Sequence, residues 1–276
     1  MSETPVYIEL TATVVPLEPF RDVFIAQLGE LGFDTFTDTE DGFQAYILKD
    51  QFSSDAVAET LQWDGVQITY VLQEIEQVNW NAEWEKNFDP IDVDGRVYIH
   101  APFHTPKQGY EHLMLIEPKM SFGTGHHQTT HMMIQWTLEL PTEGLRVLDM
   151  GCGTGILGIL AGMRDASHIH GIDIDTWCVE NTLENAQRNA IAMSCDQGGA
   201  EAIKDTYDLI YANINLNVLL ADMDAYVAAL ADGGTILFSG FYEENVPALR
   251  ERAEGAGLTY EGIKGRDQWR SVKMRK

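Results

Sequence analysis

The chain has 276 residues, which at roughly 150 residues per domain predicts two domains or one domain with a substantial addition. A hydrophobic content of 45% with 22% charged residues excludes a fibrous or wholly disordered chain, and no uninterrupted apolar run approaches the ~18 residues of a membrane span. Eighteen basic residues against 43 acidic ones leave a net charge of −25, which repels phosphate backbones and argues against a nucleic-acid ligand.

The acidity is uneven. Residues 1–80 hold only Arg21 and Lys49 against fifteen carboxylates. Such a surface attracts a basic partner, or serves solubility alone. The opening Met-Ser-Glu-Thr-Pro has neither a basic n-region nor an apolar h-region, so a cytoplasmic protein is expected. Cys152, Cys178 and Cys195 are odd in number and form no C-x-x-C pair, which disfavours a disulfide framework and suits reduced thiols.

From the N-terminus, Val6–Val14 alternates like a half-buried strand, and the segment from Leu17 to Leu31 spaces its apolar residues as a helix that Gly32 stops. Short strands follow near Asp34–Thr37 and Phe43–Leu48, then a helix capped by Ser53 or Ser54 and ending near Leu61, then a strand over Val66–Leu72. The order β-α-β-β-α-β predicts a ferredoxin-like α+β domain over 1–75. Trp80 and Trp84 lie on one face if the next segment is helical, in a linker over 76–95, where packing between domains is the plain reading. Arg96–His100 reads as a strand leading into a second domain, 96–276. There, strands at Arg146–Met150, His168–Ile174, Tyr207–Asn213 and Gly234–Ser239 alternate with helices at Gly155–Met163, Thr176–Asn189, Leu216–Leu230 and Glu243–Gly255. This alternation predicts an α/β domain with a largely parallel, Rossmann-like sheet. Leu258–Lys264 and Trp269–Met274 read as antiparallel edge strands, and Ser194–Thr206 is too weakly patterned to assign.

The chemistry concentrates at Val147-Leu-Asp-Met-Gly-Cys-Gly-Thr-Gly155, where an apolar strand runs into three glycines and then a helix. Glycine there permits positive φ and close approach of backbone to a ligand. Asp173, 22 residues beyond Gly151, ends the next strand, where an acid can accept bonds from ribose hydroxyls. Dinucleotide sites use G-x-G-x-x-G; here the spacing is G-x-G-x-G, and Asp149 just before it disfavours a pyrophosphate. A ligand bearing an ammonium and a sulfonium, S-adenosylmethionine, fits better, with a nicotinamide dinucleotide as the alternative. Asn213 ends a strand at the same crevice; its carbonyl suits an N–H donor, which points to a nitrogen acceptor, or it merely caps the next helix. In Met120-Ser-Phe-Gly-Thr-Gly-His-His-Gln-Thr-Thr-His131, His127 and His131 share the spacing of metal ligands, but with no third ligand in reach no metal is expected.

Together, the Trp80–Trp84–Asn87-Phe88 segment, the Phe122-Gly-Thr-Gly-His-His-Gln-Thr-Thr130 loop, Leu148–Gly155, Gly171–Asp175 and Ala212-Asn-Ile214 resemble the bacterial ribosomal protein L11 methyltransferases over essentially the whole chain. The resemblance implies a substrate-recognition domain ahead of a methyltransferase domain. It implies methyl transfer from S-adenosylmethionine to lysine ε-amines and the N-terminal α-amine of a basic large-subunit ribosomal protein. It assigns Thr130, Gly151, Asp173 and Asn213 to the cofactor; Gly153 joins them from the glycine loop, and Asn213 takes the catalytic role. Gln128 stands where many members have proline, and Asn215-Leu216-Asn217 follows Asn213-Ile214 where Leu-Ala is common in the family. A monomer with no direct nucleic-acid or membrane contact is expected. A same-fold enzyme acting on RNA or a small amine, and a non-catalytic cofactor-binding module, are the rival readings.

Overall fold

A computed structural model describes residues 6–76, 88–119 and 121–276. Trp80, Trp84 and Met120 lie outside the described residues. The chain divides into two compact units, Met1–Asn87 and Phe88–Lys276.

In the first unit the order is β1 (Val6–Val15), α1 (Phe20–Glu30), β2 (Thr35–Asp38), β3 (Gly42–Leu48), α2 (Ser54–Thr60) and β4 (Gln67–Glu76). The sheet runs β2-β3-β1-β4 with every pair antiparallel, the ferredoxin-like order. Alternation in β1 buries Ile8, Leu10, Ala12 and Val14, which pack with Phe43, Ala45 and Ile47 of β3 and with Phe24 and Leu28 of α1. Helix α1 starts only after Pro19, which offers no N–H to the first turn, and Ser53 Oγ caps α2 by accepting from the Ala56 N–H at 3.4 Å.

The second unit opens with a small sheet, β5 (Ile91–Val93), β6 (Val97–His100) and β7 (His112–Leu115), in that order. Only β6, buried along its whole length, is foreseen from the sequence; β5 and β7 are short and only partly buried, so they leave no apolar run. Then come α3 (Gln128–Glu139), β8 (Arg146–Met150), α4 (Ile156–Met163), β9 (His168–Asp173), α5 (Thr176–Arg188), β10 (Ser194–Gln197), β11 (Tyr207–Asn213), α6 (Leu216–Ala221), α7 (Met223–Ala229), β12 (Leu230–Tyr242), α8 (Val246–Gly255), β13 (Thr259–Arg266) and β14 (Trp269–Arg275). The seven-stranded sheet is ordered β10-β9-β8-β11-β12-β14-β13, parallel except around β14. Strand β10 forms inside the unassigned stretch, held parallel to β9. The helix expected over 216–230 is two helices, because the Asp222 backbone (φ −94°, ψ 6°) leaves the helical region and serves as the last cap of one and the first cap of the other.

Apolar clusters fill both faces of this sheet. Val147, Leu209, Tyr211 and Leu237 meet residues of α3 and α4 on one side, while Leu148, Ile210, Phe238 and Val272 meet α6, α7 and α8 on the other. Strand order turns outward in both directions from β8 and β11, so their carboxyl ends open into a crevice. Among the described residues, no helix is long and apolar enough to cross a membrane.

Candidate active site

A cavity of about 600 Å³ sits at that crevice, walled by the glycine loop after β8, the end of β9, the end of β11 and the 122–129 segment before and at the start of α3. Gly151 and Gly153 take φ of +69° and +55°, a region that side-chain-bearing residues avoid. A Cβ on Gly151 would stand 2.2 Å from Ile214 Cγ2, and one on Gly153 would stand 2.2 Å from the Phe122 carbonyl oxygen. The glycines let three segments converge to contact distance. Thr154 completes the weld: its N–H donates to Phe122 O at 3.0 Å and its hydroxyl to Gly123 O at 2.6 Å.

Asp173 ends β9 in the cavity wall. Its Oδ2 accepts from the Gly153 N–H at 2.9 Å and its Oδ1 from the Asp175 N–H at 3.1 Å. One backbone donor per oxygen leaves lone pairs for hydroxyl donors. Ile174 and Trp177, directly after this acid, line the cavity while 70% and 54% exposed, an apolar ledge beside a carboxylate.

Asp149 does not face the ligand, which corrects the sequence expectation. The alternation of β8 turns it to the face of Val147, where it is buried and its Oδ2 accepts from the Gly158 N–H at 3.0 Å. It pins the first turn of α4, where the helix dipole favours an anion. Burial pushes its carboxyl up to about 7, against the stabilising Gly158 bond.

Asn213 ends β11 and lines the cavity. Its Nδ2 donates to Thr130 Oγ1 at 3.5 Å, while its buried Oδ1 has no hydrogen-bond partner among the described residues. Thr130 is fully buried in α3 behind Asn213 rather than in the wall; its neighbour Thr129 lines the cavity. Asn213 is not the helix cap: Asn215 takes that role, its Oδ1 accepting from the Val218 N–H at 3.2 Å. The expected site residues therefore gather at one crevice, with Gly151, Gly153, Asp173 and Asn213 on its surface and Thr130 behind.

His127 caps α3 through Nδ1, which accepts from the Thr129 N–H at 3.3 Å. Its ring meets Phe122 and Trp269 edge-on, with centroids 5.2 and 4.6 Å away. Its Nδ1 also lies 2.8 Å from Thr129 Oγ1, and burial lowers its pKa, which favours the uncharged ring. Among the described residues, potential ligand atoms gather in a group of three only at Asp173, Asp175 and Cys178.

Sequence reasoning missed Glu201, Asp222 and Trp269 in the wall. Trp269 arrives from the far hairpin of β13 and β14, which no local pattern announces. The exposed Ile174 and Trp177 carried a usable signal: apolar residues beginning a helix immediately after a strand-end acid. Every charged lining residue is acidic, namely Asp173, Asp175, Glu201 and Asp222.

Residues 29–276 match the model of one protein family, described as ribosomal protein L11 methyltransferase (PrmA). The chain belongs to that family. A ribosomal protein L11 methyltransferase from Phocaeicola vulgatus is 44% identical, with 97% of this chain and 98% of the relative covered. One from Porphyromonas gingivalis is also 44% identical over 94% of this chain and 91% of the relative. Among solved structures, the ribosomal protein L11 methylase from Lactobacillus delbrueckii subsp. bulgaricus aligns over 68% of this chain and 98% of its own, with a TM-score of 0.63 at 22% identity, a likeness of fold. Membership makes the chain an S-adenosylmethionine-dependent protein methyltransferase. The crevice therefore has to accept a sulfonium donor, and among the described residues no Lys or Arg lines it.

The Asp149 environment gives a signed test. An acid with its folded pKa raised to about 7 from 3.8 binds more protons folded than unfolded between those values, so its presence costs stability as pH rises through that window. The unfolding free energy of Asp149→Asn minus that of wild type should grow from pH 4 to pH 7, by as much as about 4 kcal/mol, and then level off. Urea unfolding at several pH values measures this difference.

Proposed function

We propose that this methyltransferase moves methyl groups from S-adenosylmethionine onto amine nitrogens of a basic large-subunit ribosomal protein, its lysine ε-amines and N-terminal α-amine. The observation that carries this reading is the buried, unpartnered Asn213 Oδ1 in the wall of the glycine-loop cavity. A buried acceptor without a donor costs roughly 1–3 kcal/mol, and an amine N–H arriving from the cavity relieves it.

The residues fit the methyl donor. Gly151 and Gly153 bring bare backbone to the cavity, Asp173 retains acceptor capacity, and Thr130 accepts from the Asn213 amide nitrogen, which leaves the amide oxygen without a donor. When bound, S-adenosylmethionine supplies an electrophilic methyl on a cationic sulfur. Asn213 Oδ1 then accepts one amine N–H and aims the nitrogen lone pair, a positioning role rather than covalent catalysis. A free lysine amine must first lose a proton, at a cost of roughly 4–5 kcal/mol at pH 7. Loss of water from around the ammonium on entry lowers that cost, and solvent carries the proton away.

Residues 1–75 serve as the recognition unit, 76–95 as the linker and 96–276 as the methyltransferase domain. Both cations of residues 1–75 are spent internally, Arg21 on Glu18, Asp22 and Asp38, and Lys49 on Glu74, which leaves a surplus of carboxylates facing the partner. A cytoplasmic monomer that touches no nucleic acid completes the reading.

Mass spectrometry of the ribosomal protein after incubation with enzyme and S-adenosylmethionine tests the reading directly: mass gains in steps of one methyl are expected on amines, and methylation of RNA in their place overturns it. Asn213→Ala should cut turnover by about 10²-fold, the effect of losing one aligned polar contact in the transition state, while S-adenosylhomocysteine affinity changes far less. An equal loss in both would assign Asn213 to donor binding alone. Raising salt from roughly 0.05 to 0.3 M should lower kcat/KM for the ribosomal protein several-fold, mostly through KM, because the attraction between charges is screened; a salt-independent KM would remove the acidic unit from recognition.

A further inference from the structure

Two thiols meet beneath the glycine loop, and the methyl-transfer reading uses neither. Cys152 lies between Gly151 and Gly153, buried; Cys195 lies on β10, half-buried. Their Sγ atoms are 3.5 Å apart. Gly171 on β9 makes the room: a Cβ there would stand 3.1 Å from both sulfurs. The hydroxyl of Thr182 in α5 donates to Cys152 Sγ at 3.2 Å and to the Gly153 carbonyl at 2.9 Å, so the Cys152 sulfur and the loop backbone share one hydrogen-bonding group. Cys178, the third thiol, is in the cavity wall and belongs to no such pair.

We propose that Cys152 and Cys195 form a reversible cystine under peroxide, and that this bond closes the methyl-donor site. The contact is asymmetric. Its hydrogen bond to Cys195, then burial, then the nearby Asp149 charge hold the Cys152 thiol well above its usual range, so Cys152 keeps its proton. Cys195, the more accessible, is the attacking group. Its thiolate sulfur displaces hydroxide from hydrogen peroxide: an S–O bond forms, the O–O bond breaks and the hydroxide leaves as water. The Cys152 sulfur then attacks the Cys195 sulfenic acid: the S–S bond forms, the S–O bond breaks, and the departing hydroxide takes the Cys152 proton. Two thiols and one peroxide give one disulfide and two waters, and a dithiol reverses it.

Bonding draws the sulfurs together from 3.5 Å to about 2.05 Å. Cys152 must move, Cys195 must move, or both. Cys152 is the loop residue between two cavity-lining glycines, and its N–H donates to Ile172 O at 3.2 Å, so any displacement of Cys152 is passed to Gly151 and Gly153. The loss of affinity rests on the reading of this cavity as the donor site; formation of the bond does not.

The experiment uses full-length reduced protein treated with hydrogen peroxide, quenched, alkylated and divided. Peptide mass spectrometry should find Cys152 linked to Cys195, and calorimetry should find S-adenosylhomocysteine affinity lowered at least tenfold and restored by dithiothreitol. Cys195→Ser should bind like wild type when reduced and keep its affinity after peroxide. Free, alkylatable Cys152 after treatment overturns the cystine. A linked peptide with unchanged affinity overturns its effect on the site. Equal peroxide sensitivity in Cys195→Ser assigns the effect to Cys178 and overturns the pair. Failure of the reduced wild type to bind S-adenosylhomocysteine would instead count against the donor-site reading, and the peptide result would still decide the cystine.

Discussion

The hydrogen bond from the Gly153 N–H to Asp173 Oδ2 fixes the two parallel strands that form the floor of the crevice. It exists because residue 153 adopts a left-handed backbone and carries no side chain against the Phe122 carbonyl. Strand β8 delivers the glycine loop and β9 delivers the acid; their parallel register makes both arrive at the same edge of the sheet. From that bond the remaining walls are set by contact: Phe122 and Gly123 through Thr154, and Ile214, with Asn213 before it, against Gly151. A crevice assembled from backbone in this way holds its shape with few polar side chains, which leaves those few for the substrates.

The charge pattern follows from the same economy. Among the described residues no Lys or Arg lines the cavity, and its four acidic residues are carboxylates. A site built for phosphate would place cations or a helix N-terminus at the glycines. Here Asp149 occupies the first turn of α4 from beneath, through Gly158. The helix end is satisfied by the protein itself, and the anionic surroundings suit a cationic donor and a cationic acceptor alike. Residues 1–75 carry the same sign of charge, and their two cations are paired with neighbouring acids. Electrostatics of this kind governs encounter more than final affinity.

What the sequence makes legible, and what it hides, divides along a physical line. Periodicity locates β1, β8, β9 and β11 because each buries one or both faces over at least five residues. Glycine spacing locates the turn, and Asp173 and Asn213 are found because both stand where a strand ends at that turn. Contacts formed between distant segments leave no such trace. Asp149 reads as a ligand-facing anion until the pleat of β8 is known. Thr130 reads as a wall residue, whereas it supports Asn213 from behind. Trp269 enters the wall from the last hairpin, and Cys195 reaches Cys152 only because β10 forms and Gly171 leaves a gap between them. The split at Asp222 lies in one residue's backbone angles, which helical spacing alone does not encode.

The central claim is that the methyl donor is held by the glycine loop, the Asp173 segment and the end of β11. Hydrogen–deuterium exchange with and without saturating S-adenosylhomocysteine measures this on the intact protein, segment by segment. The account predicts slowed exchange in 150–156, 173–178 and 213–218, with 6–76 unchanged. Protection confined to other segments, or binding that leaves the glycine loop exchanging as before, would contradict it.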